Sequence, residues 1–157
     1  MSPRITRTLV VFGALLVLGS VDLAIWGKER VVRTGETIFL ELAPVDPRSL
    51  MQGDYMALRF QLADDIDRWR ELEGRARTRA APLSVDERGV ARLATDGGDA
   101  EIAFRIRRGS VWLGTNAYFF AEGTGDRYAE ARYGEFRVGD DGEAVLVGLR
   151  DAELNPL

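Results

Sequence analysis

Asp46, Asp54 and Glu122 are the side chains of this 157-residue chain best placed to run acid–base chemistry. A glycan-directed hydrolase needs two carboxylates held roughly 5 to 10 Å apart, one protonated and one ionised. No spacing in the sequence marks these three as a pair, so the hydrolase stands as the alternative reading. A Ser–Lys nucleophile would have to be Ser49 with Lys28, the single lysine of the chain. That lysine lies far upstream, and Ser49 follows Pro47 rather than preceding it, so Ser49 reads as a turn residue. Asp96-Gly97-Gly98-Asp99 and Asp140-Asp141-Gly142 gather oxygens that hard cations favour, but neither has the spacing of a calcium loop, and both read as turns. The chain has no histidine and no cysteine. That removes the Ser-His-Asp triad, the usual neutral-pH base, thiolate nucleophiles, disulfides and the commonest zinc ligands. No metal ligand set and no cofactor is expected.

The elements that must position these residues begin with a membrane segment. Thr8 to Trp26 reads TLVVFGALLVLGSVDLAIW, nineteen residues that would run about 28 Å as a helix, close to the hydrocarbon thickness of a bilayer. Arg4 and Arg7 precede it, and positive charge on the short side keeps that side in the cytoplasm. No A-x-A pattern or lipobox cysteine follows, which favours an uncleaved signal anchor. The expected organisation is a cytoplasmic basic N-terminus over 1–7, the anchor over 8–26, a polar collar over 27–34 and a domain over 35–157 lying outside the cytoplasm, on the periplasmic side of a bacterial inner membrane. Asp22 sits about a turn from the outer end, where its carboxylate can reach headgroups, or meet a neighbouring transmembrane helix.

Beyond the anchor, alternation dominates. Glu36–Ala43 places Ile38, Leu40 and Leu42 on one face; Tyr55–Leu62 does the same with Met56, Leu58, Phe60 and Leu62. Asp64–Leu72 is the best helix, with Asp64 as its cap and Ile66, Trp69 and Leu72 on its apolar side. Glu73–Ala81 reads as a solvated connector. Short strands are expected at Leu83–Val85, Gly89–Ala94, Glu101–Arg107 (Ile102, Phe104 and Ile106 inward) and Val111–Leu113. A helical turn is expected in Asp126–Tyr133. A hairpin of Glu135–Val138 and Glu143–Leu149 is signalled by the Asp-Gly between them. The tail Glu153–Leu157 reads as frayed. Seven to nine short strands with one or two short helices make a mainly β domain, an antiparallel curled sheet or sandwich, behind a single N-terminal transmembrane helix.

Net charge is −4, and the basic residues, all Arg but one, form no stripe with interleaved aromatics, so nucleic acid is not an expected partner. The Arg preference fits a GC-rich genome.

The stretch PVDPRSLMQGDYMALRF, from Pro44 to Phe60, concentrates the remaining signal. Asp46-Pro47 ends a strand and starts a turn. Gly53 permits a backbone conformation that other residues resist, and Asp54 can accept nearby amides and fix the start of the strand. Gly53-Asp54-Tyr55-x-x-Leu58-x-Phe60 resembles the signature of the GDYXXLXY family, membrane-anchored bacterial proteins of unassigned function. The last position is Phe60 where that signature has Tyr, so a role needing the hydroxyl is not available here. Pro44–Arg48, Phe119–Gly123 and Ala131–Val138 extend the resemblance over most of the chain. The resemblance implies a membrane complex, with a multi-spanning inner-membrane protein as partner. The expected work is non-catalytic: an accessory or docking module for that larger protein. The candidate docking corner is Asp46, Arg48, Gly53, Asp54, Tyr55, Leu58, Phe60 and Glu122. Each of these residues could equally brace the turn.

Overall fold

The computed structural model describes residues 3–43, 51–52, 55–75 and 77–157. Helix α1 (Pro3–Thr34) carries the apolar run and continues without a break through the expected collar. Lys28, Glu29, Arg30 and Arg33 are good helix formers, so loss of hydrophobicity changes what the helix faces, not whether it is helical. It is the one helix among the described residues long and apolar enough to cross a membrane.

The domain is mainly β. Its strands are β1 (Glu36–Glu41), β2 (Met51–Gln52), β3 (Tyr55–Ala57), β4 (Ala80–Val85), β5 (Ala91–Leu93), β6 (Ala100–Ala103), β7 (Arg105–Arg107), β8 (Ser110–Trp112), β9 (Ala117–Phe119), β10 (Tyr133–Val138) and β11 (Ala144–Arg150). They form small antiparallel sheets in the orders β1-β10-β11, β2-β3-β9 and β5-β4-β6, with the pair β7-β8. Strand β1 is the seam. One edge pairs with β10, Phe39 bridges to Val90 beside β5, and Leu42 bridges to Phe60 beyond β3. The sheets thus curl around one core and do not close into a barrel.

That core is apolar throughout: Ile38 and Leu40 from β1, Leu83, Ile102 and Phe136 from the sheets, and Ile66 from helix α2 (Gln61–Leu72) are all at most 1% exposed. Side chains of this size stabilise by about 1.5 to 3 kcal/mol each when fully buried. Helix α2 buries Leu62, Ile66 and Trp69, and Leu72, expected on that face, is 86% exposed. A stride of three drifts around the helix, and at the C-terminal end it carries Leu72 off the core side. Asp64 lies in the first turn without capping it and pairs with Arg59 at 3.1 Å; Phe60 holds the N-cap position in extended conformation.

Three other expectations are revised. The strand read over Tyr55–Leu62 ends its first ladder at Ala57; Gln61 already begins α2. The run Glu101–Arg107 divides at Phe104 into β6, paired with β4, and β7, paired with β8. The tail is fastened, not frayed. Asp151 Oδ1 accepts the amides of Glu153 and Asn155, Arg150 bridges to Pro156, and the Leu157 amide donates to Leu149. A single 3-10 turn, Gly125–Tyr128, falls where a helical turn was expected.

Gly35 and Gly134 are among the glycines that close approach requires. A β-carbon on Gly35 would lie 2.5 Å from the Val31 carbonyl and 2.9 Å from that of Val138, so the step from α1 into β1 is open only to glycine. One on Gly134 would lie 2.8 Å from the Phe60 ring.

Candidate functional site

Alternation puts successive side chains of a strand on opposite faces, and the motif strand obeys it beyond its regular ladder. Met56, Leu58, Phe60 and Leu62 are buried, while Ala57, Arg59 and Gln61 are exposed. The extended chain changes neighbours as it goes. Tyr55, Met56 and Ala57 pair with Phe119, Tyr118 and Ala117 of β9. The Leu58 amide donates to Asn116, and the Ala43 amide donates to Arg59. The motif strand therefore ties β9 to β1.

Leu58 and Phe60 are 6% and 3% exposed. They offer no surface to a partner, and their part in the corner is to anchor it. The Phe60 ring stands edge-on to Phe136 with centroids 5.1 Å apart, over the space that Gly134 leaves. Two separate stretches that carry the family resemblance, 53–60 and 131–138, meet at this contact.

Tyr55 occupies the other end. Its ring lies 5.8 Å from that of Phe119, tilted by 39°. Tyr55 is half-buried, and Phe119 is 75% exposed. The neighbours of Phe119 point inward: Tyr118 and Phe120 flank Tyr128, with centroids 5.2 Å apart in both pairs. Burial, and then the adjoining Tyr128 side chain, raises the Tyr118 phenol above its ordinary range. The result is a rigid aromatic base with one aromatic ring turned outward, on the edge strand of the β2-β3-β9 sheet.

Glu122 lies in the exposed turn after β9, where the Thr124 amide donates to the Ala121 carbonyl and Gly123 takes a φ of 77°. Asp46, Arg48, Ser49, Gly53 and Asp54 lie outside the described residues. Strands β2 and β3 pair Gln52 with Tyr55 across the last two of these positions. The acid–base pair considered from sequence is therefore represented only by Glu122. Lys28, the other half of the Ser–Lys reading, is engaged with Glu143. In the second acidic loop Asp141 Oδ1 accepts the Glu143 amide, and among the described residues no three potential metal ligands converge.

Phe119 is an exposed aromatic outside the expected corner. Its signal was present: an aromatic in an outward position of a strand, between two aromatics that face in. A second set of unassigned side chains, Arg105, Arg107 and Trp112, shares one face of the β7-β8 hairpin. Its signal was Arg-x-Arg around an inward Ile106, followed across a turn by Trp.

No curated protein and no solved structure matches the chain. The family model of the GDYXXLXY proteins matches residues 17–149, from the middle of α1 to the penultimate residue of β11. The match spans the motif strand, the β9 stretch packed beside it and the Gly134 strand beneath it, and the chain belongs to the GDYXXLXY family.

Proposed function

We propose that the protein is a non-catalytic accessory module, anchored by α1 in the bacterial inner membrane with its β domain on the periplasmic side, that docks onto a larger multi-spanning membrane protein. The supporting observation is the outward Phe119 ring beside Tyr55, mounted on an edge strand. Aromatic rings supply large contact area at small cost in side-chain freedom and are enriched at interface centres. An edge strand adds backbone donors and acceptors that a partner can pair. The Arg4 and Arg7 charges ahead of the helix support the orientation.

The experiment is site-specific photocrosslinking in native membranes, with a photoreactive phenylalanine analogue at position 119 and, as comparison, at the exposed position 92. A discrete adduct with a multi-spanning protein from position 119, absent from position 92 and weakened by Tyr55→Ala at equal protein level, is the expected result. Equal labelling from both positions, or none from 119, would remove the docking reading and return attention to Glu122 and the acids of the motif.

A further inference from the structure

Helix α1 meets the domain along one face. Ala24, Gly27, Lys28 and Val31 recur at helical spacing; Val31 is buried, and Lys28 pairs with Glu143 of the β10-β11 loop. Ala24 and Gly27 are small and fill little of the space beside them. A cleft of about 800 Å³ opens there, between the outer end of the apolar run, the β10-β11 loop and the β7-β8 hairpin. Its volume falls within the range of small-molecule sites.

The lining is unlike the rest of the chain. Four cations, Lys28, Arg79, Arg105 and Arg107, face two carboxylates, Asp141 and Glu143, in a protein whose net charge is −4. Lys28 and Glu143 satisfy each other, and Asp141 is held by the Glu143 amide. The Arg105 guanidinium has no ion pair or hydrogen bond among the described residues, and the Arg107 guanidinium stacks on Trp112 with its carbon 4.2 Å from the ring centroid. The hairpin register sets Arg105 opposite Trp112 and Arg107 opposite Ser110, so these side chains share the outward face while Ile106 and Val111 turn to the core. The hairpin is held rigidly. Arg108 and Gly109 both take positive φ, 52° and 87°, as a two-residue turn of this hand requires, and the Val111 amide donates to Asp67 of α2. Phe104 and Trp112 add apolar walls. A planar guanidinium fork matches phosphate oxygens, and Trp beside Arg or Lys is the pairing favoured at the level of lipid headgroups.

We infer that this cleft binds the phosphate headgroup of an anionic phospholipid, with Arg105 and Arg107 on the phosphate and Trp112 against the glycerol region. The cationic residues stand beside Ala24 and Gly27, within one turn of the end of the apolar run, so a lipid adjoining α1 presents its phosphate at that height. The inference rests on α1 spanning a membrane and not on any protein partner.

The test uses the full chain reconstituted in phosphatidylcholine vesicles with and without phosphatidylglycerol, with retained lipid counted by native mass spectrometry. Resistance to alkaline extraction checks the anchor separately. The wild type is expected to retain phosphatidylglycerol over phosphatidylcholine by about thirtyfold. R105A/R107A is expected to lose that retention by roughly thirtyfold, about fivefold per cation, and R68A/R127A, on other surfaces, to keep it. An inserted wild type with no headgroup preference would overturn the lipid site alone. So would full retention in R105A/R107A, or displacement of the lipid by inorganic phosphate at equal concentration, which would make the cleft a site for soluble anions. Extraction by alkali would overturn the anchor and this inference together. Should R105A/R107A unfold, the wild-type preference still decides, and R105Q/R107Q, which keeps polar bulk without the charges, replaces the double variant with the same expected loss.

Discussion

Phe60 is seated in the space where Gly134 has no side chain: a β-carbon there would lie 2.8 Å from Cε1 of Phe60 and 3.0 Å from both Phe136 and Leu146. The contact joins the end of the motif strand to the middle of β10 at the centre of the core. Gly134→Ala is therefore expected to destabilise by about 1 to 3 kcal/mol through overpacking, and Phe60→Ala by about 3 to 5 kcal/mol through the cavity it leaves. The two sites share the same volume, so they should not add. Chemical denaturation of G134A, F60L and F60L/G134A checks this, with the double variant more stable than the sum of the single losses. Additive losses would mean that Phe60 does not depend on the missing side chain.

Phe119 should separate stability from interaction. At 75% exposure it contributes little to the core, so Phe119→Ser is expected to change unfolding free energy by no more than about 0.5 kcal/mol. Met56, next along β3 from the Tyr55 that pairs with Phe119 and on the opposite face, is 4% exposed, and Met56→Ala should cost about 2 to 5 kcal/mol. Thermal denaturation compared with co-purification of the partner from membranes gives the contrast: F119S keeps its melting temperature and loses the partner. An F119S variant that melts as early as M56A would make Phe119 a core residue.

What could be read from the sequence follows from what periodicity reports. Alternation reports which face a side chain takes, and it did so for Met56, Leu58, Phe60 and Leu62 even though Leu62 stands in a helix. It is blind to the partner. Phe104 keeps its inward place while the strand passes from β4 to β8, and Phe60 keeps its place while the chain passes from β9 to β1. The long apolar run announced α1, but the collar hid its continuation, because Val31 is the single buried apolar residue there among charged neighbours, too narrow a stripe to register. The motif residues were visible, whereas the pairing of Tyr55 with Phe119 joins positions 64 apart, and no local pattern specifies such a contact. The cleft was hidden for the same reason: its cations come from a helix, a connector and a hairpin.

Acid should loosen two loops before the core. The Val90 amide above all, with that of Arg88, holds the Asp86 carboxyl below its ordinary range, and the Asn155 side chain above all, with the amides of Asn155 and Glu153, does the same for Asp151. Both groups bind protons less readily folded than unfolded. Their stabilisation is complete above the ordinary carboxylate range and is lost as pH falls through their lower native values. Asp86→Asn and Asp151→Asn should each flatten part of the acid limb of stability against pH. The amide exchange of Val90 in one case, and of Asn155 and Leu157 in the other, should rise at neutral pH. An unchanged acid limb in both variants would show that other carboxylates carry it.

The angle at which α1 leaves the domain depends on Gly35 more than on the ion pair above it. Lys28 and Glu143 are 52% and 35% exposed, and an exposed pair is worth about 0 to 1 kcal/mol. By contrast Gly35 lets the Val31 and Val138 carbonyls approach within distances that no β-carbon tolerates, Val31 itself is 9% exposed, and a β-carbon on Gly139 would lie 3.1 Å from its Cγ2. Lys28→Ala is expected to leave the helix seated. Gly35→Ala must shift either the last turn of α1 or the start of β1, at a cost of about 1 to 3 kcal/mol. The chain has no cysteine of its own, so a Lys28→Cys, Glu143→Cys pair reports the seat by its rate of disulfide formation in membranes. The pair should oxidise readily with Gly35 in place and much more slowly with Gly35→Ala. If Gly35→Ala leaves that rate unchanged, the seat of the helix does not depend on Gly35, and the cleft beside it owes its shape to the β10-β11 loop instead.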